Sequence, residues 1–298
     1  MDIHSIYFGI NERNFLINKC QQGGSGMDGV DAKWRMPDEL WDEISPLLPL
    51  HRPSPLGGRP REDDRKAMDG LFYLLRTGCQ WKALPREFGA SSTVYDRFRQ
   101  WEQAGVFRAL WKKGLLLCDK KVGIDWEWQS VDGCMTKAPL GGEKTGPNPT
   151  DRAKSGTKRS ILTDAYGLPL AIAIDGANRH DKKMLAETLG SVIVPRPRPS
   201  ANAPQHICLD KGYDYPDIRD LVKKLKYIDH IKARGEETEA KKHIPGYRAR
   251  RWVVERTHSW MNRFRRLLIR WEKLADRYLA LLHLACGYIT CKVAGVFG

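Results

Sequence analysis

The sequence predicts an α/β protein in two parts, a small all-α region followed by a mixed-sheet domain. Three observations carry this. Apolar residues recur at helical spacing from Pro37 to about residue 120. Past Val122 the period shortens to strand-like runs. Those runs alternate with helical stretches in the order three strands, helix, strand, helix, strand, helix, which is a mixed α/β order.

The chain has 298 residues, room for one large domain or two modest ones. With 41% hydrophobic and 29% charged residues it is neither wholly disordered nor fibrous. Fifty Lys and Arg against 36 Asp and Glu leave a net charge of +14. That excess favours a polyanionic partner, nucleic acid before an acidic membrane. The uncharged run from Tyr278 to Cys291 is shorter than the ~20 residues of a spanning helix. The first residues also lack the basic start and apolar core of a secretory signal. Seven scattered cysteines without a C-x-x-C pair read as reduced thiols.

Residues 1–33 are expected to form a disordered or extended N-terminus, since Gln21 to Gly26 (QQGGSG) has a linker composition. Helical patterning then sets the first domain at 34–120 and the sheet-bearing remainder at 121–298. The first helix places Leu40, Trp41, Ile44, Leu47 and Leu48 on one face, and prolines end it. After the basic hinge GGRPR a second helix carries Ala67, Leu71, Leu74 and Leu75 and stops at Gly78. A short apolar helix through Trp81, Leu84 and Phe88, a turn at Gly89 and a helix from Ser91 or Ser92 follow. In that last helix Val94, Phe98 and Trp101 form the buried stripe, which sets Thr93, Asp96, Arg97 and Gln100 on the opposite face. Helix, tight turn and a polar, basic helix is the pattern of a helix-turn-helix DNA reader, with Thr93, Arg97 and Gln100 as candidate contacts. A small bundle with a solvated face has the same pattern.

In the second part, strands are predicted at Ser130 to Cys134, Ser160 to Thr163 and Leu168 to Ile174, the last two joined by a turn at Asp164 to Gly167. A helix over Asp181 to Leu189, the strand His206 to Asp210, a helix over Pro216 to Lys226 and the strand Tyr227 to Ile231 come next, and helical patterns close the chain.

Two carboxylates, Asp132 in SVDGC and Asp210 in ICLDKGYD, fall at the ends of strand-like runs, where open α/β sheets gather functional groups. Glu255 lies in the helical RWVVERTHSW, off the Val253, Trp260, Phe264 and Leu267 stripe. Three acids in a basic protein suggest hard oxygen ligands for Mg²⁺, suited to phosphodiester chemistry. Taken singly, each acid also reads as a turn former, a cap or a solvated side chain.

The stretches GGRPREDDRKAMDGLFYLLRTGCQWKALPREFG, STVYDRFRQW, SVDGC, GPNPTDRAKSGTKRS, TDAYGLPLAIAIDGANRHD, ICLDKGYD, HIKARGEE and RRWVVERTHSWMNRFRRL run in order from Trp34 to the C-terminal helices. Together they resemble bacterial DDE transposases of the insertion-sequence-five family, within the insertion-sequence-four superfamily. The resemblance implies a ribonuclease-H-like mixed-sheet catalytic domain preceded by a small all-α helix-turn-helix domain. It carries the catalytic and metal-holding roles onto Asp132, Asp210 and Glu255, with Mg²⁺ as the cofactor and Mn²⁺ able to replace it. The expected activity is recognition of terminal inverted repeats, strand cleavage and transfer of the 3′ ends to target DNA. The alternative is a catalytically inactive, transposase-derived DNA-binding regulator. Double-stranded DNA, and a second copy of the chain when assembled on it, are the expected partners, in the bacterial cytoplasm at the nucleoid and without a membrane.

The family signature around the glutamate has Tyr seven residues before it, Arg four before and Lys seven after. Here those positions are Arg248, Arg251 and Asn262, so only the Arg and Glu match. Arg248 and Arg251 share a helical face with Glu255. Arg256, Arg263, Arg266 and Arg270 recur at seven, three and four, a basic stripe expected to contact phosphates. The Gly-rich 137–159 segment, with Lys137, Lys144, Arg152, Lys154, Lys158 and Arg159, is a candidate DNA-touching loop or a plain surface loop. His180 and Asp181 either approach the acids or order a loop.

Overall fold

The computed structural model describes residues 29–51, 55, 60–231 and 252–298. In chain order, helices α1 (Asp38–Ile44), α2 (Asp64–Thr77), α3 (Ser91–Gln103) and α4 (Val106–Lys121) precede strands β1 (Trp128–Lys137), β2 (Gly146–Pro147), β3 (Ser155–Thr163) and β4 (Pro169–Gly176). Then come α5 (Asp181–Gly190), β5 (His206–Leu209), α6 (Pro216–Lys224), β6 (Ile228–Ile231), α7 (Trp252–Asn262), α8 (Arg265–Leu268) and α9 (Ala275–Val293). The chain falls into two compact units. One holds the described residues through Cys118 with Met261–Ile269 and Asp276–Gly298. The other holds the described residues of Asp119–Trp260 with Arg270–Ala275.

In the helical unit, the Asp63 side chain caps α2 at the Arg65 N–H, and Gly78 ends it at φ +71°, the left-handed turn that glycine adopts without a Cβ clash. Ala67, Leu71, Leu74 and Leu75 of α2 and Val94, Phe98 and Trp101 of α3 are buried, as their spacing requires. The helix expected through Trp81 and Phe88 is instead two 3-10 turns, Trp81–Ala83 and Arg86–Phe88. Pro85 sits between them, where its missing N–H breaks a continuous helix. The closing helix α9 packs against α4: Cys118 Sγ donates to the Thr290 carbonyl at 3.1 Å. A Cβ at Gly287 would stand 2.9 Å from Leu110. Leu281, Leu282, Leu284 and Ile289 of α9 are wholly buried.

In the sheet unit, β3 pairs antiparallel with β1 and β4, and β5 pairs parallel with β1 and β6. The resulting order is β4-β3-β1-β5-β6, a mixed sheet as the sequence predicted, with the short β2 beside the start of β3. Strands β3 and β4 are buried almost throughout, as strands covered on both faces must be. Thr188 of α5 donates to Ser160 at 2.8 Å, which fixes α5 on one face. The segment 252–260 of α7 covers the other, where its Thr257 hydroxyl donates to the Gly167 carbonyl at 2.6 Å. Among the described residues no helix is long and apolar enough to cross a membrane.

Candidate active site

Asp132 sits inside β1 and Asp210 directly follows β5. The parallel register pairs Ser130 with Cys208, so two further residues along each strand bring Asp132 level with Asp210. Adjacent strands lie about 4.8 Å apart, and the two carboxylates thus stand side by side where pairing ends. The Gly133 N–H donates to Asp132 Oδ1 at 2.8 Å and fixes that carboxylate. Asp210 Oδ1 is buried without a hydrogen-bond partner, and a Cβ at Gly212 would crowd it at 2.9 Å.

Glu255 is in the first turn of α7 and is exposed. Its helix is held to the β3–β4 turn by Thr257 and by Arg256, whose guanidinium donates to the Tyr166 carbonyl. The same guanidinium lies 4.7 Å from the Trp252 ring and 4.9 Å from the Trp260 ring. Burial pushes the Asp132 carboxyl up to about 6; the Gly133 N–H opposes this, and the charges of Asp210, Asp181 and Glu255 add to it. Two carboxylates predicted from distant parts of the sequence, Asp210 and Glu255, therefore bear on the third, Asp132. As they stand, no group of three among the described His, Cys, Asp and Glu is drawn close enough to hold a metal ion. The donor set nonetheless fits a hard cation. All its atoms are carboxylate oxygens, one is buried and unpartnered, and like charges crowd Asp132.

Further polar groups gather here. Asp181 opens α5, with His180 as its N-cap, and pairs with Lys158 at 2.9 Å. The motif GANRHD contained the signal for this acid, but not its position against Gly133. Tyr213 is fully buried; burial raises its phenol well above the ordinary value, and the charges of Asp181, Asp132 and Asp210 push it the same way. Burial, with Arg159 adding, pushes His258 down to about 3, so its ring beside the Asp132 backbone is neutral.

The expected DNA contacts separate into groups. Thr93 is half-buried and Gln100 exposed on α3. Arg97 departs from expectation: it is 9% exposed, pairs with Asp64 of α2 at 3.0 Å and donates to Gln100 at 3.2 Å. A partner on the neighbouring helix draws it inward. Arg97→Ala is therefore expected to cost about 1–3 kcal/mol of stability, read by urea unfolding.

The arginine stripe also fails to persist. The α-helix ends at Asn262, Phe264 is extended, and α8 starts afresh at Arg265, so spacing across the break no longer shares a face. Arg266 is buried and donates to the Cys79 carbonyl at 3.0 Å, and Arg270 is buried among backbone carbonyls. Arg256 and Arg263 are half-buried. Arg248 and Arg251 lie outside the described residues. In the 137–159 segment, Lys158 and Arg159 belong to β3 and are buried rather than part of a loop.

Residues 36–111 match the family model "Putative transposase of IS4/5 family", and residues 120–290 match "Transposase DDE domain". The chain is 41% identical over 148 residues, 49% of its length, to 68% of the "Putative transposase for insertion sequence element IS402" of Burkholderia cepacia. It is 37% identical over 124 residues, 40% of its length, to 83% of the "Insertion element IS402 uncharacterized 16.2 kDa protein" of the same organism. Among solved structures, the pre-cleavage Mos1 transpososome aligns over 71% of this chain and 80% of that one, with 11% identity and a TM-score of 0.25.

Proposed function

Because the chain belongs to the IS4/IS5 family of DDE transposases, we propose that it cleaves DNA at the terminal inverted repeats of an insertion sequence and transfers the 3′ ends to target DNA. The observation supporting this is that the charges of Asp210 and Glu255 both bear on Asp132 near the end of the β1–β5 pairing. These three would hold Mg²⁺, or Mn²⁺ in its place. When bound, the metal supplies activation of the attacking hydroxyl and stabilisation of the leaving oxygen. The chain's own contribution is placement. The Gly133 N–H orients Asp132, the β5 end presents the unpartnered Asp210 oxygen, and the anchored α7 brings in Glu255.

We assign the helical domain 34–120 to recognition of the repeats, with Thr93 and Gln100 toward the bases, and outside that domain we assign Arg263, just after α7, to phosphates. Gln100→Ala is expected to weaken binding to the terminal repeat by about 1–3 kcal/mol more than binding to random duplex, measured by competition. Equal losses would make it a phosphate contact. Two copies acting on paired ends, in the bacterial cytoplasm at the nucleoid, complete the proposal.

The full chain incubated with a duplex carrying its own flanking repeats should nick at the element ends with Mg²⁺ or Mn²⁺. It should be inactive with Ca²⁺, whose longer, looser coordination misplaces the reacting groups. Cleavage in chelator would overturn the metal mechanism. Specific end binding without cleavage under any metal would identify a regulator instead.

A further inference from the structure

We propose that Asp181 and Lys158 form a charge pair that sets how strongly the three-acid site attracts its cation, with Asp181 as a positioning residue. This rests on the function proposed above. Lys158 Nζ stands 2.9 Å from Asp181 Oδ2 and donates to the Arg179 carbonyl at 2.8 Å, with its side chain only 8% exposed. The other oxygen, Asp181 Oδ1, is buried without a hydrogen-bond partner. It lies against Gly133, where any Cβ would overlap it.

Side chains alternate along a strand, so Asp181 faces β1 from the side opposite the Asp132 carboxylate. One residue's thickness of backbone separates them. The Asp181 charge reaches through it to Asp132 and also bears on Tyr213. Glycine at 133 is thus what lets a carboxylate approach the strand that carries Asp132.

The two members of the pair should act on the metal with opposite sign. Removing the Asp181 charge leaves the buried Lys158 ammonium unbalanced on that opposite face of the sheet, which repels a cation held across the strand. Removing the Lys158 charge leaves an additional carboxylate uncompensated, which attracts one. A pair serving packing alone would destabilise the fold in both variants and leave metal affinity unchanged.

Mn²⁺ titration of the full chain by calorimetry, without DNA, separates these. Asp181→Asn is expected to raise the Mn²⁺ dissociation constant roughly tenfold and Lys158→Met to lower it several-fold, the scale of a unit charge acting on a divalent ion across a well-solvated site, where the effective dielectric constant approaches that of water. Thermal unfolding without metal verifies that each variant is folded, and Lys158→Gln replaces Lys158→Met if the latter is not. Unchanged constants, or shifts in the same direction, overturn the proposal. Asp132→Asn is the control. If it binds Mn²⁺ as the wild type does, or the wild type binds none, the three-acid site itself fails and this inference with it.

Discussion

Asp132→Asn, Asp210→Asn and Glu255→Gln, made singly, are each expected to reduce strand cleavage at the element ends by at least about 10³-fold, because groups acting as one catalytic unit lose nearly all activity when any member is removed. Each change keeps the side-chain volume and removes one negative charge. The folded helical unit, built on separate buried stripes, should therefore retain end binding. Cleavage assays paired with gel-shift measurements on the same preparations check both halves. Cleavage at the wild-type rate by any one variant would remove that residue from the site.

The second large effect is on stability. Arg270 is 1% exposed, and its guanidinium donates to the carbonyls of Glu272 at 2.9 Å, Glu143 at 2.7 Å, Lys144 at 3.2 Å and Lys273 at 3.3 Å, and to the Thr157 hydroxyl at 3.1 Å. Its own N–H also donates to the Lys137 carbonyl at 2.8 Å. One side chain thus ties the segment after β1 and the start of β3 to the strap leading into α9. Arg270→Leu is expected to cost about 3–5 kcal/mol, since buried acceptors lose their donor with no water to replace it. Arg270→Lys should recover little, because an ammonium cannot span the planar fork of contacts. Urea unfolding monitored in the sheet unit tests this, and a loss below about 1 kcal/mol would contradict the network's role.

Much of the sheet was legible because its strands are continuous apolar runs punctuated by glycine and charged turns. Leu168 to Ile174 reads as a strand from sequence, and β4 spans Pro169–Gly176. Asp210 directly follows its strand as the sequence suggests, whereas Asp132, expected at a strand end, lies inside β1, which runs on to Lys137 because β3 pairs with it that far. For Asp181 the sequence offered only an approach to the acids or an ordered loop, since its nearness to Gly133 arises from α5 packing on the sheet, a relation no local pattern carries. Lys158 and Arg159 look like solvated loop charges in the sequence, yet pairing of β3 with two neighbours encloses them. Arg97 misleads in the same way, because Asp64 approaches it from 33 residues upstream. The arginine stripe rested on one unbroken helix, and the extended Phe264 breaks it.

The packing of α9 on α4 also bears on synthesis. Domains generally fold as they leave the ribosome, N-terminal parts first. Here a nascent chain that has released α4 still lacks the surface that covers Leu110 and Trp111, since α9 follows the sheet unit in the sequence yet belongs to the same unit as α4. The helical unit therefore closes only after the whole sheet unit has been translated. A product terminated before α9 would carry α4 with an open apolar side, a ready substrate for proteolysis.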